Sequence, residues 1–201
     1  DADVALVFVR ATSGEEYVVV DGNKGDRNSL DLWHNGNELV NSVVSANNNT
    51  VVVIHAPATV NLPFLNDVRA IVHAGMPGAE SGNAIASILF GDSNPSGHLP
   101  FTWAKREEYC CDISYPEELP KGTKDMNNIE YSEGLFIGYR WFDRNGIIPT
   151  FPFGHGLSYT SFKYTDLSAA LENDGENVTG LKATFTVENI LLKVLLFQCF
   201  S

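Results

Sequence analysis

Two short apolar runs constrain this chain more than any other feature. Val4–Val9 is uninterrupted by any polar residue, and the second, read over Val51–His55, is β-branched from Val51 to Ile54. Runs of this length and kind mark strands of a parallel sheet, buried on both faces. Between them, Leu39, Val40, Val43 and Val44 recur at the spacing of one helix face over Asn37–Ala46, and Asn47-Asn48-Asn49 ends that helix. A third strand is read at Val68–His73 and a second helix at Glu80–Phe90, after the turn Gly75-Met76-Pro77-Gly78. The order reads as βαβαβα, a parallel sheet with helices on its faces, and the fold class is α/β.

The carboxyl edge of such a sheet is where ligands bind. Directly after the first strand stands Thr12-Ser13-Gly14-Glu15-Glu16-Tyr17. It places a carboxylic acid and an aromatic ring on a strand-end loop. An acid can protonate a leaving oxygen, and a flat ring can carry a pyranose. Alone, the hexapeptide also fits an ordinary solvated turn.

Composition narrows the partners. The formal charge of −12 removes the basic footprint that nucleic acid or an anionic membrane surface requires. The three cysteines, Cys110, Cys111 and Cys199, have neither metal-ligand spacing nor a disulfide framework. The five histidines include no pair at ligand spacing. His55 and His73 each end a strand, where a hydrogen-bonded structural histidine is expected. Sequons at Asn48 and Asn177 mark both as glycosylation sites and point to secretion. The Gly75…Gly82 segment is not GxGxxG, and Gly156-Leu157-Ser158-Tyr159-Thr160 lacks the last glycine of a nucleophile elbow.

Farther along, the texture changes. The α/β domain is assigned to residues 1–106, an irregular insertion or linker to 107–130, and a connecting segment to 131–161. From Phe162, apolar residues alternate with period two (Tyr164, Leu167, Ala169, then Leu181, Ala183, Phe185, Val187) around the turn Asn173-Asp174-Gly175. That is the opening hairpin of an all-β sandwich over residues 162–201, too short to close. Residues 190–201 form an apolar tail without alternation, too short to span a membrane. Both ends read as cut, so a longer parent protein is expected. The tail is expected to reflect a frame or splice-boundary error, or a natural truncation.

The segments Ala74–Ala84, Leu89–Asp92 and Asn94–Pro100 resemble the second domain of glycoside hydrolase family 3. Tyr131–Asp143 resembles the segment that follows it, and Phe153–Phe162 the start of that family's fibronectin type III-like domain. Asp21-Gly22-Asn23-Lys24-Gly25-Asp26-Arg27-Asn28 is similar to the fungal β-glucosidase branch. The resemblance implies a partial parallel-sheet α/β sandwich followed by the truncated start of a fibronectin type III-like domain. It implies a secreted, retaining β-glucosidase without metal or organic cofactor, acting on cello-oligosaccharides or aryl glucosides. The nucleophilic aspartate would lie on a (β/α)8 barrel outside this chain, leaving the chain alone inactive and poorly soluble. Glu15 maps to the acid/base, whose pKa must be raised for its task, and Tyr17 to the leaving-group site. Asp26 and Arg27 are expected to pair with each other or to brace the loop.

The family usually has glycine after the acid/base, where this chain has Glu16. Three roles stay open for Glu16: tuning Glu15, replacing it, or straining a backbone position that suits glycine. Two other readings also stay open: a β-xylosidase of the same family, and a non-catalytic carbohydrate-binding or scaffold module.

Overall fold

A computed structural model describes residues 2–109, 133–175 and 177–190. Cys110, Cys111, Cys199, most of the linker 107–130, Tyr131 and Ser132, and the tail from Leu191 lie outside the described residues. Two compact units result: Asp1–Ser81 with His98–His155, and Gly82–Gly97 with Gly156–Ser201.

The first unit opens with β1 (Ala5–Arg10), followed by a two-strand ribbon, β2 (Val19–Val20) and β3 (Asn23–Lys24). Helix α1 (Gly36–Ala46) leads to β4 (Thr50–His55) and then β5 (Ala70–His73). The main sheet is parallel, in the order β1-β4-β5, with Arg10 opposite His55 and Ile54 opposite His73. Arg10, His55 and His73 therefore share its carboxyl edge.

The central strand matches the expectation for a doubly buried strand. Val51, Val52, Val53 and Ile54 are all buried. β1 does not. Val7 and Val9 are buried, but Leu6 and Phe8 are exposed. β1 is an edge strand, and its inward residues share the core with Val40 of α1. The expected helix between the second and third strands is also absent. Residues 56–69 run as turns and irregular chain, with Pro57 and Pro63 interrupting any helical ladder. Val60 and Phe64 of this connection are buried in the core. Trp103 joins them, its indole N–H donating to the Val60 carbonyl at 2.8 Å, and it bridges to Phe151 through paired backbone hydrogen bonds. A short helix, Tyr139–Asn145, buries Phe142.

In the second unit, most of helix α2 (Ser81–Leu89) is tied to the segment after Gly156. The Tyr159 hydroxyl donates to the Ile88 carbonyl at 2.8 Å, and the Asn94 side chain bonds Ser158 and the Tyr159 amide. The chain then forms a long antiparallel hairpin, β6 (Phe162–Asn173) with β7 (Val178–Asn189). A register shift between Thr165 and Ser168 adds one residue to β6, with Asp166 at φ 57°. That bulge puts Tyr164 on the same face as Ala169 and Leu171, opposite Val187, Ala183 and Leu181. The face is apolar and exposed.

Candidate active site

The loop after β1 starts from a fixed point. The Ala11 amide extends the sheet by donating to the His55 carbonyl at 3.0 Å. Four residues later the chain reverses. Val18 N–H donates to Glu15 C=O at 2.8 Å, closing a β-turn over Glu15–Val18. Glu16 is the first central residue of that turn and has φ 50°. This is the position at which a hairpin-type turn favours glycine. The structure places Glu16 in a strained backbone conformation. A left-handed conformation costs a residue with a Cβ about 1 kcal/mol or more. Glu16→Gly is therefore expected to stabilise the chain by about 1 kcal/mol, read as a higher urea midpoint. A lower midpoint would contradict the assignment of strain.

The turn is laced to the following ribbon. Gly14 N–H donates to Gly25 C=O at 2.9 Å, and Gly25 N–H to Val18 C=O at 2.8 Å. The Ser13 hydroxyl donates to Asp26 at 3.3 Å and accepts from the Arg27 amide at 3.1 Å. The Asn23 amide holds the Gly25 and Asp26 carbonyls. Of the two roles expected for Asp26 and Arg27, bracing the loop is the observed one. Among the described residues Arg27 forms no ion pair with Asp26. Its Nη1 is buried without a partner, and burial pulls the guanidinium below its usual pKa.

Glu15 is exposed where this turn begins, and Tyr17, its second central residue, is 77% exposed. The loop therefore gathers Ser13, Gly14, Glu15, Glu16 and Tyr17 with Asn23–Arg27. It does not include the sequon residue Asn48. Asn48 is exposed between α1 and β4, at the opposite edge of the sheet, and Asn177 is exposed in the turn joining β6 to β7.

One cluster escaped the sequence reading. Arg10, at the end of β1, forms an ion pair with Asp21. Asp21 and Gly22 are the two-residue turn between β2 and β3, both at positive φ, as in a type I′ hairpin. His34 Nε2 lies 3.2 Å from the same Asp21 oxygen and 3.2 Å from Arg10 Nη2. The Asp-Gly turn was visible in the sequence. Its partners, 11 and 13 residues away, were not.

The histidines at the sheet edge divide in role. His55 Nε2 is 2.9 Å from the Ser81 hydroxyl, as expected of a structural histidine. His73 instead stands edge-on to Phe101 and Trp103, and its Nδ1 is buried without a partner. Burial pulls His73 below its ordinary pKa of 6.5, and nearby His55 acts in the same direction. The native state thus resists a proton that the unfolded chain accepts. Stability from His73 is full above about pH 6.5 and falls as pH drops below it. The urea midpoint is expected to be lower at pH 5 than at pH 8, with a smaller difference in His73→Phe. An unchanged pH dependence in that variant would refute the assignment.

Among the described residues no group of three or more His, Cys, Asp or Glu side chains is placed to hold a metal ion. No described helix is long and apolar enough to cross a membrane.

Residues 1–159 match the family model described as the glycosyl hydrolase family 3 C-terminal domain. The chain belongs to glycoside hydrolase family 3. It is 47% identical to a probable beta-glucosidase L of Neosartorya fischeri over 83% of its own length and 22% of that protein. It is 43% identical to beta-glucosidase 1 of Aspergillus aculeatus over 92% of its length and 22% of that relative. A Chaetomium thermophilum beta-glucosidase structure superposes with a TM-score of 0.74 at 45% identity, covering 85% of this chain and 20% of that one. The beta-D-glucoside glucohydrolase of Trichoderma reesei superposes at 0.71 and 45% identity, covering 85% and 23%. The chain thus spans about a fifth of these family 3 proteins, and its α/β architecture is that of their C-terminal domain.

Proposed function

We propose that this chain supplies the acid/base loop of a retaining β-glucosidase. In this reading the enzyme removes terminal β-D-glucosyl residues from cello-oligosaccharides or aryl glucosides. The observation that carries it is Glu15, exposed at the start of a laced turn on the carboxyl edge of a parallel sheet. Family membership and relatives named beta-glucosidase support it.

A retaining site needs two carboxyl groups roughly 5–5.5 Å apart, one to attack the anomeric carbon and one to manage the proton. Glu15 is the second. It protonates the glycosidic oxygen as the bond to the anomeric carbon breaks, and its carboxylate then takes a proton from the water that releases glucose. Tyr17 offers its ring face to the departing sugar. The attacking aspartate belongs to a (β/α)8 barrel beyond this chain, so the chain alone is inactive. The parent protein is secreted and glycosylated at Asn48 and Asn177, and takes part in cellulose degradation without a metal or organic cofactor.

The test is to assay cellobiose with this chain alone, with a separately expressed barrel alone, and with both. Hydrolysis only in the mixture or the full-length enzyme, with β-glucose as first product by proton NMR, is the expected result. α-Glucose as first product, or full activity in the barrel alone, would overturn the reading.

A further inference from the structure

We propose that Arg10, Asp21 and His34 form a clamp that positions Glu15 for proton transfer; the inference rests on the acid/base role given to Glu15 above. Three segments distant in sequence meet in this cluster: the end of β1, the tip of the β2–β3 ribbon, and the turn before α1. Each is set by backbone geometry. Arg10 lies in register with His55 at the sheet edge. Asp21 sits in its type I′ turn. His34 and Asn35 are consecutive left-handed residues, at φ 55° and 56°. The Trp33 amide donates to the Arg10 carbonyl at 2.9 Å, drawing the third segment onto the first.

The ribbon that Asp21 caps has only two residues per strand, too few to hold itself in water. Yet it carries the anchor for Glu15, because Gly25, just past β3, holds Gly14 on one side of Glu15 and Val18 on the other. The clamp ties the far end of the ribbon back to the rigid sheet. The position of Glu15 is then fixed from both sides: by β1 before it and by the clamped ribbon after it.

Arg10, Asp21 and His34 are all partly exposed, with side-chain exposures of 51%, 35% and 59%. Exposed ion pairs add little to global stability. Removing the clamp is therefore expected to spare the fold and loosen the loop. Misplacing a reacting group by about 1 Å costs up to about a hundredfold in rate. The loss should follow demand for the proton. The glucose expelled from cellobiose would leave as a poorly stabilised alkoxide and needs the proton of Glu15, whereas a dinitrophenolate leaves unaided.

In the full-length enzyme, Arg10→Ala and Asp21→Ala are expected to lower kcat/KM for cellobiose by about tenfold or more. For 2,4-dinitrophenyl β-glucoside it should change less than about twofold, and Arg10→Lys should recover most of the loss. Hydrogen exchange in the segment 12–27 should quicken in Arg10→Ala while β4 keeps its protection. Equal losses on both substrates, no loss on either, or unchanged exchange in 12–27 would overturn the clamp. Glu15→Gln is run alongside. If it spares cellobiose, the acid/base assignment fails, and the exchange measurement still decides whether the clamp holds the loop. If it abolishes cellobiose turnover while Arg10→Ala leaves kcat/KM for cellobiose unchanged, the clamp alone fails.

Discussion

Glu15→Gln in the full-length enzyme is expected to lower kcat/KM for cellobiose by a factor on the order of 10² to 10⁴, the usual contribution of a positioned general acid. Glutamine keeps the size of the side chain and its hydrogen-bonding capacity but has no proton to give. Two further readouts make the result specific. With 2,4-dinitrophenyl β-glucoside the first step should proceed, because that leaving group needs no protonation. Release of glucose should then stall, since the same residue must act as base toward water. A burst of dinitrophenol followed by slow turnover is the expected trace. In Glu15→Ala, azide should relieve the stall by attacking the glucosyl-enzyme without base assistance, yielding β-glucosyl azide. Glu16→Gln, one position on, should retain most of its cellobiose activity. The reverse pattern, an inert Glu16→Gln and a competent Glu15→Gln, would move the acid/base to Glu16.

Glu16 also carries a backbone demand of its own. Glu16 occupies the first central position of the turn at φ 50°. A residue held there by the closing hydrogen bond from Val18 to Glu15 meets the demand for a positive φ in a tight turn. The sequence raised this reading alongside two others, because a missing glycine signals backbone demand without saying how large it is.

Other parts of the chain show the same division. The run Val51–Ile54 announced a central strand and became one. Val4–Val9 looked equally apolar and became an edge strand, with Leu6 and Phe8 exposed. A continuous apolar run reports that both faces suit burial; which faces are covered depends on elements elsewhere. The missing helix in 56–69 was marked locally by Pro57 and Pro63, but the βαβ pattern outweighed them. In the hairpin, the alternation broke between Tyr164 and Leu167, three residues apart instead of two. That break is the bulge at Asp166, which a plain period-two reading of the run passes over. The cluster of Arg10, Asp21 and His34 was not legible, because nothing local to any of the three residues indicates the other two.

Gly14→Ala is expected to remove about as much activity as a displaced acid can, on the order of a hundredfold in kcat/KM for cellobiose, while leaving Glu15 chemically intact. A Cβ at this position would lie 2.6 Å from the Val18 carbonyl oxygen and 2.9 Å from that of Gly25. Both are backbone atoms, so no side-chain rotation relieves the overlap. If the Val18 carbonyl withdraws, it leaves the Gly25 amide that it accepts from. If Gly14 rotates away, its own amide leaves the Gly25 carbonyl. Either route breaks one of the two bonds that flank the Glu15 turn. The overpacking should also cost about 1–3 kcal/mol of stability, read as a lower urea midpoint. Turnover of 2,4-dinitrophenyl β-glucoside by its first step separates the two effects. Loss of folded enzyme would depress both substrates equally, whereas a misplaced acid depresses cellobiose alone. A Gly14→Ala enzyme with ordinary kcat/KM for cellobiose would show that the close approach of Gly14 to Val18 and Gly25 does not set the position of the acid.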